Sequence, residues 1–120
     1  MTKVLITGGA GYLGSTLTEI LLNQNEKPFS KIYHVDVIDN LMYEQTSLLH
    51  LCHNEYFNFI KHDVTDFKAL ENIMPNYDVV IPLAAIVGAP ACNLNPAKAK
   101  QTNFEAQINI IDNISNSQLL

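Results

Sequence analysis

The chain has 120 residues, 48% of them hydrophobic and 16% charged, which suits one compact domain with its own core. Twelve acidic residues against seven lysines and no arginine give a net charge of −5, a poor match for a nucleic-acid-binding protein. No apolar run approaches ~18 residues, and no signal peptide precedes the first strand-like run, so we expect no membrane span. The cysteines, Cys52 and Cys92, are too few for a disulfide framework, and we expect a cytoplasmic protein with reduced thiols.

Four short apolar runs predict buried strands at 3–7, 32–38, 56–61 and 78–83. Helical spacing covers 12–25 and, more briefly, 46–54. A further helix is capped by Asp66 and closed by Pro75, and a long one starts at Asn95-Pro96 and runs toward the C-terminus. The alternation predicts an α/β fold in one domain over 1–120, the first half of a doubly wound, Rossmann-type parallel sheet with strand order 3-2-1-4.

The turn after the first predicted strand is rich in glycine and reads Thr7-Gly8-Gly9-Ala10-Gly11-Tyr12-Leu13-Gly14. Glycines in this pattern allow a sharp strand-to-helix turn, close approach of the backbone to a pyrophosphate, and close packing of the helix on the sheet. Because the turn follows a strand and opens an amphipathic helix, it predicts a dinucleotide site. With no arginine in the chain, we expect backbone N–H groups, the helix N-terminus or a lysine to hold the phosphates.

A dinucleotide site also needs an acidic residue at the end of the second strand, where it accepts hydrogen bonds from ribose hydroxyls. Asp36 and Asp39 are both candidates. Asp36 falls within the predicted strand and Asp39 falls where that strand should end, so we favour Asp39. A carboxylate at this place favours NAD over NADP, because the 2′-phosphate of NADP would meet a negative charge.

Four motifs, taken in order, resemble the extended short-chain dehydrogenase/reductases, and among them the NAD-dependent nucleotide-sugar epimerase/dehydratase group. They are the glycine turn, Asp39-Asn40-Leu41, His62-Asp63-Val64 and Leu83-Ala84-Ala85, and the resemblance extends over essentially the whole chain. It implies NAD as cofactor. The implied binding residues are Gly8, Gly11, Tyr12, Leu13 and Gly14 along the pyrophosphate, Asp39 and Asn40 at the adenosine ribose, Asp63 and Val64 at the adenine, Leu83, Ala84 and Ala85 beyond the fourth strand, and Asn103 near the nicotinamide-side ribose.

Asn103 also has support from the helical pattern of its own segment. On a wheel of ~100° per residue, Asn103 and Gln107 fall inside an apolar arc that also holds Phe104, Ile108 and Ile111. A buried polar residue needs a hydrogen-bond partner, which is either a ligand or a neighbouring backbone group. Both partners remain open for Asn103.

The resemblance implies a catalytic Tyr-x-x-x-Lys pair that the chain lacks, since no tyrosine is followed four residues later by lysine. We therefore expect no catalytic residues here, an N-terminal piece of a longer enzyme that binds NAD, and a nucleotide-sugar substrate only for a longer form. Two alternatives remain open: a non-catalytic dinucleotide-binding sensor, and a folded remnant that binds nothing.

Two smaller groups of reactive side chains favour no site. His50, Cys52 and His53 lie close together, but no second ligand pair has matching spacing, so we expect no metal. Cys92 is placed on the loop after the fourth strand with no base beside it, and we assign it no nucleophilic role. The wide apolar arc of the last helix and an open edge on the fourth strand predict self-association, with a homodimer as the expected form.

Overall fold

The computed structural model describes residues 1–120 as a four-stranded parallel sheet with helices on both faces. The strands are β1 (Thr2–Thr7), β2 (Tyr33–Asp39), β3 (Phe57–Lys61) and β4 (Val79–Pro82). The helices are α1 (Tyr12–Gln24), α2 (Phe67–Ile73), α3 (Ala89–Leu94), α4 (Pro96–Lys100) and α5 (Ala106–Asn113), and a π-helical segment (Gln101–Glu105) joins α4 to α5. None of these helices has both the length and the hydropathy needed to cross a lipid bilayer.

The sheet has the order β3-β2-β1-β4, with every neighbouring pair parallel, so the predicted fold class and strand order are confirmed. The central strand β1 explains why both faces are covered. Val4 and Ile6 point into one apolar cluster and Leu5 into the other, and all three are almost completely buried. A strand that is apolar on both sides requires a layer on each face of the sheet.

Each apolar cluster is closed by different helices. The first contains Leu22 of α1 together with Leu48 and Leu51 from the segment after β2. The second contains Leu70 of α2 and Ile110 of α5. This division places α1 on one face and α2 with α5 on the other, which is the doubly wound arrangement.

Two helix starts follow the predicted capping residues. The Asp66 carboxylate accepts a hydrogen bond from the Ala69 N–H at 3.3 Å, and α2 begins at the next residue. The Asn95 side chain accepts one from the Lys98 N–H at 3.1 Å, and α4 begins at Pro96. Each cap satisfies a donor that the first helical turn leaves without a partner.

Two local predictions are wrong. The segment 46–54 forms only one 3₁₀ turn, Leu49–Leu51. This single turn is enough to bury Leu48 and Leu51 against the sheet, so a longer helix is not required. Cys92 lies in α3 rather than on a loop. Pro90 stands in the first turn of α3, where its missing N–H costs no helical hydrogen bond.

The last helix departs from the uniform wheel that the sequence analysis assumed. A π-helical segment has wider turns than an α-helix, so residues beyond it are rotated from their expected positions. Thr102, Ala106 and Ile110 are the buried residues of this segment and of α5. Asn103 is exposed, so its predicted burial among apolar residues is wrong.

The prediction that β4 has an open edge is also wrong for the first residues of the strand. The Val80 N–H donates to the Leu119 carbonyl at 2.9 Å, and the Leu119 N–H donates to the Asp78 carbonyl at the same distance. The Gln118 side chain further donates to the carbonyls of Met74 and Tyr77, at 2.7 Å each. The chain therefore covers part of this edge with its own C-terminal residues.

Candidate functional site

A cleft of about 490 Å³ lies where the carboxyl ends of the four strands meet. Every residue that the sequence analysis assigned to the cofactor lines it, apart from Asn103. These lining residues are Gly8, Gly11, Tyr12, Leu13, Gly14, Asp39, Asn40, Asp63, Val64, Leu83, Ala84 and Ala85. In open α/β sheets, ligands bind in a crevice at this end of the strands.

Sequence reasoning did not assign the remaining lining residues to the cofactor, although Ala10 and His62 stand within the motifs it used. These are Ala10, Ile38, Met42, Tyr43, Gln45, His62, Ile86, Val87 and Thr102. Ile86 and Val87 continue the run Leu83-Ala84-Ala85, and extending that motif would have found them. No signal pointed to Thr102, which reaches the cleft from the π-helical segment.

The glycine turn packs too closely for larger side chains at Gly8, Gly9 and Gly14, and a Cβ on Gly9 would lie 2.5 Å from a methyl carbon of Val37. Gly8 has a φ of +71°, and a Cβ built on it would lie 2.5 Å from the backbone nitrogen of Ala84. A Cβ on Gly14 would lie 2.4 Å from the Cα of Gly9. Gly11 is different, because its Cβ would meet only the Gly8 carbonyl oxygen, at an ordinary 3.4 Å. Gly8 and Gly14 are thus required by the fold, whereas Gly11 leaves space beside the cleft.

The N-terminus of α1 offers unpaired donors at the cleft. No side chain caps this helix, and the backbone N–H groups of Tyr12, Leu13 and Gly14 donate to no group of the chain. All three residues line the cleft, and no lysine does. The helix N-terminus is therefore the positive element available to an anionic ligand in the cleft.

The two candidate carboxylates at β2 lie in different surroundings. Asp39 ends β2 and lines the cleft, where its oxygens accept hydrogen bonds from the N–H groups of Ala10 at 3.0 Å and Leu41 at 2.8 Å. These bonds tie the carboxylate to the glycine turn and leave it further acceptor capacity. Asp36 lies away from the cleft and accepts a hydrogen bond from the Tyr77 hydroxyl. Burial and the Asp36 carboxylate raise the pKa of Tyr77 above its ordinary value, so this hydroxyl stays a donor.

Asp63 is the most heavily hydrogen-bonded carboxylate at the cleft. One oxygen accepts from the backbone N–H and the hydroxyl of Thr65, at 2.9 and 2.7 Å. The other accepts from the Asn40 amide and the Lys98 ammonium, at 3.1 Å each. Burial by itself disfavours the ionised form, but these donors outweigh it and hold the pKa of Asp63 well below its usual range.

Asn103 and Gln107 hold one wall of the cleft in place. The Asn103 amide donates to the Ile86 carbonyl and accepts from the Ile86 N–H, at 2.7 Å each. The Gln107 amide donates to the carbonyls of Ala84, at 3.1 Å, and Thr102, at 3.0 Å. The Asn103 side chain thus finds its partner in backbone, which was one of the two predicted possibilities, and Asn103 does not line the cleft.

The other reactive side chains are engaged elsewhere. His50 lies 3.2 Å from Glu19, and Cys92 donates to the Ile86 carbonyl at 3.4 Å. No three His, Cys, Asp or Glu side chains are grouped so that they could hold a metal ion. The sheet order, the glycine turn and the cleft at the strand ends define the Rossmann-type class of nucleotide-binding folds.

Within that class, the chain belongs to the NAD-dependent epimerase/dehydratase family, whose model matches residues 4–119. It is 35% identical over 110 residues to a UDP-N-acetylglucosamine 4,6-dehydratase (inverting) of Campylobacter jejuni, covering 92% of this chain and 31% of that protein.

Solved structures of two UDP-sugar 4-epimerases also match nearly the whole chain. A UDP-N-acetylglucosamine 4-epimerase from Methanobrevibacter ruminantium is 28% identical, with a TM-score of 0.80, over 98% of this chain and 35% of that one. A UDP-glucuronic acid 4-epimerase from Bacillus cereus, in complex with UDP-glucuronic acid and NAD, is 27% identical with a TM-score of 0.79, over 98% and 37%. The chain thus spans about a third of the length of each of these relatives.

Substitution of Gly14 and of Gly11 should affect stability differently. We expect Gly14→Ala to lower the melting temperature, because the new Cβ overlaps the Gly9 backbone and overpacking typically costs ~1–3 kcal/mol. Gly11→Ala places its Cβ at ordinary contact distance and should leave the melting temperature nearly unchanged. Thermal unfolding followed by circular dichroism compares the two variants. Equal destabilisation by both would contradict the geometry of the turn.

The hydrogen bonds to Asp63 predict a pH-dependent contribution to stability. Because its pKa is lower in the folded chain than the unperturbed 3.8, ionised Asp63 stabilises the fold at pH values above that figure. The contribution should decline as the pH falls below it. We expect Asp63→Asn to be less stable than wild type at neutral pH, with the difference in unfolding free energy shrinking in acid. Urea unfolding at several pH values tests this, and a constant difference would refute it.

Proposed function

We propose that the cleft binds NAD and that the chain is the NAD-binding portion of an oxidoreductase of the nucleotide-sugar epimerase/dehydratase type. The observation that carries the proposal is the uncapped N-terminus of α1, whose unpaired N–H groups line a cleft that also holds Asp39. Unpaired donors suit a pyrophosphate, and a carboxylate at the end of β2 suits ribose hydroxyls. The family model that matches the chain describes an NAD-dependent family.

The residues present fit this cofactor. The space beside Gly11 allows a pyrophosphate to approach the N–H groups of Tyr12 and Leu13. Asp39 is held by two backbone donors and keeps acceptor capacity for a ribose. When bound, NAD supplies a hydride acceptor at its nicotinamide ring. The chain's own part is to bind and orient it, with Asp39 disfavouring the extra phosphate of NADP.

The chain by itself is proposed to bind cofactor without turning over substrate. No tyrosine of the sequence is followed four residues later by lysine, so the proton-transfer pair that the family resemblance implies is absent. A nucleotide-sugar substrate then belongs to a longer form of the protein. The same absence favours a second candidate, a dinucleotide-binding sensor without catalysis, which would bind NAD equally well.

We further propose that the chain forms a homodimer through its last helix. Phe104, Ile108 and Ile111 follow one another at helical spacing and are exposed, 58%, 41% and 51% respectively. This stripe runs from the π-helical segment into α5, on the side away from the buried Ala106 and Ile110. An apolar stripe on a helix is stabilised by burial, and a second copy of the same helix offers a matching surface.

Calorimetric titration tests cofactor binding. We expect NAD to bind at least about tenfold more tightly than NADP, because the 2′-phosphate would meet the Asp39 carboxylate. Asp39→Ala should weaken NAD binding by about tenfold, the effect expected from losing hydrogen bonds to a charged group. Asp36→Ala is the matched control and should change it little. Gly11→Val should abolish binding while the chain stays folded.

Equal affinity for NAD and NADP, or a larger effect of Asp36→Ala, would contradict the assignment of Asp39. Melting temperatures of the variants separate lost binding from lost folding. A wild-type chain that binds neither cofactor would refute the proposed function and leave the remnant alternative.

Sedimentation velocity tests the proposed dimer. We expect a concentration-dependent dimer at micromolar concentration, and a shift toward monomer for Ile111→Glu, which places a charge in the apolar stripe. Ile20→Glu is the matched control, since Ile20 of α1 is also 51% exposed but lies outside the stripe. A wild-type chain that is monomeric at every concentration would overturn the dimer.

A further inference from the structure

All the hydrogen-bond acceptor positions of the Asp63 carboxylate are occupied in the structure. A carboxylate offers about four lone-pair positions. Those of Asp63 are taken by the N–H and hydroxyl of Thr65, the amide of Asn40 and the ammonium of Lys98. The side chain nevertheless lines the cleft and is a third exposed. A ligand that donates a hydrogen bond to Asp63 must therefore displace one of these donors.

Three of the four donors are held locally. The two from Thr65 belong to the turn directly after Asp63, only two residues along the chain. The Asn40 amide is fixed in orientation, because its oxygen accepts from the Met42 N–H at 3.0 Å. Removing any of these would disturb the backbone around the cleft.

Lys98 is the donor that can leave. It reaches Asp63 from α4, across 35 positions of sequence, on a long side chain that is itself 29% exposed. Its ammonium also donates to the Thr65 hydroxyl at 2.9 Å, and water can replace both partners. Partly exposed ion pairs of this kind contribute only ~0–1 kcal/mol, so release of the lysine costs little.

The ligand group that meets Asp63 follows from the order of the strands. The unpaired N–H groups for a pyrophosphate lie just after β1, and Asp39 for the ribose lies at the end of β2. From β1 the sheet continues outward through β2 to β3, and Asp63 lies just after β3. The base of a bound adenosine is the group that comes after the ribose, so it is the group that meets Asp63. The exocyclic amino group of adenine can donate a hydrogen bond to a carboxylate.

We propose that Lys98 is a specificity-determining residue that competes with the base of the ligand for the Asp63 carboxylate. The lysine occupies the acceptor position in the free chain and is released when a base with an amino group binds. It thereby lowers the affinity for amino-bearing bases and reduces discrimination against bases without a donor. This inference rests on the proposed binding of NAD.

The experiment compares NAD with its purine analogue, whose base carries a hydrogen in place of the amino group of adenine and so has no donor at that position. Dissociation constants are measured by calorimetry for wild type, Lys98→Met and Lys100→Met. Lys100 is the matched control, because it lies on the same helix, its side chain is 70% exposed, and its ammonium pairs with Glu105 at 4.0 Å rather than with Asp63. Its substitution removes the same charge without freeing Asp63.

We expect Lys98→Met to bind NAD about two- to fivefold more tightly than Lys100→Met does, the range that corresponds to losing a competing exposed ion pair. Binding of the purine analogue should be equal in the two variants, so the ratio of the two affinities rises only when Lys98 is replaced. A structural role for Lys98 would weaken both ligands together and leave this ratio unchanged.

The possible failures are distinguishable. If wild type binds NAD but Lys98→Met leaves the ratio unchanged or weakens NAD, the inference about Lys98 is wrong and the proposed function stands. If neither wild type nor Lys98→Met binds either dinucleotide, the proposed function fails and the inference falls with it.

Discussion

The close packing of the glycine turn against its neighbours is the constraint on which the site depends. Gly8 lies against the backbone of Ala84 and Gly14 against Gly9, both at distances that exclude a Cβ. These approaches bring the end of β1, the start of α1 and the segment after β4 to the same cleft. They also aim the N-terminus of α1 at that cleft with its N–H groups unpaired. A larger residue at Gly8 or Gly14 would move the donors and the cleft wall together.

The polar residues of the last helix serve this arrangement from the other side. Asn103 pairs with both backbone groups of Ile86, and Gln107 bridges the Ala84 and Thr102 carbonyls. A cleft wall without regular secondary structure has backbone groups that need partners, and leaving buried ones unpaired costs ~1–3 kcal/mol each. Through its bond to Thr102, Gln107 ties the cleft wall to the π-helical segment. An irregular helix and an irregular loop thus complete each other's hydrogen bonds.

The electrostatics of the cleft are unusual for a site proposed to take a charged dinucleotide. Its lining includes the carboxylates of Asp39 and Asp63 but no lysine. Both carboxylates accept hydrogen bonds from donors of the chain itself, backbone N–H groups at Asp39 and a mixed set that includes the Lys98 ammonium at Asp63. Hydrogen bonds to an ionised carboxylate are stronger than those between neutral groups and stabilise its charge. Affinity for phosphate then depends on helix geometry rather than on side-chain charge.

The sequence by itself determined the class of fold, the strand order and most of the cleft. Apolar β-branched runs alternating with helical patterns leave few topologies open, and the glycine turn and Asp39 mark the ends of β1 and β2. The bonding of Asn103 to Ile86, the capture of Asp63 by Lys98 and the covering of β4 by Leu119 were decided only by the tertiary structure. Each of these contacts joins residues far apart in the chain. Local periodicity cannot encode them, because they depend on how the π-helical segment rotates the last helix and on where the folded sheet brings distant side chains together.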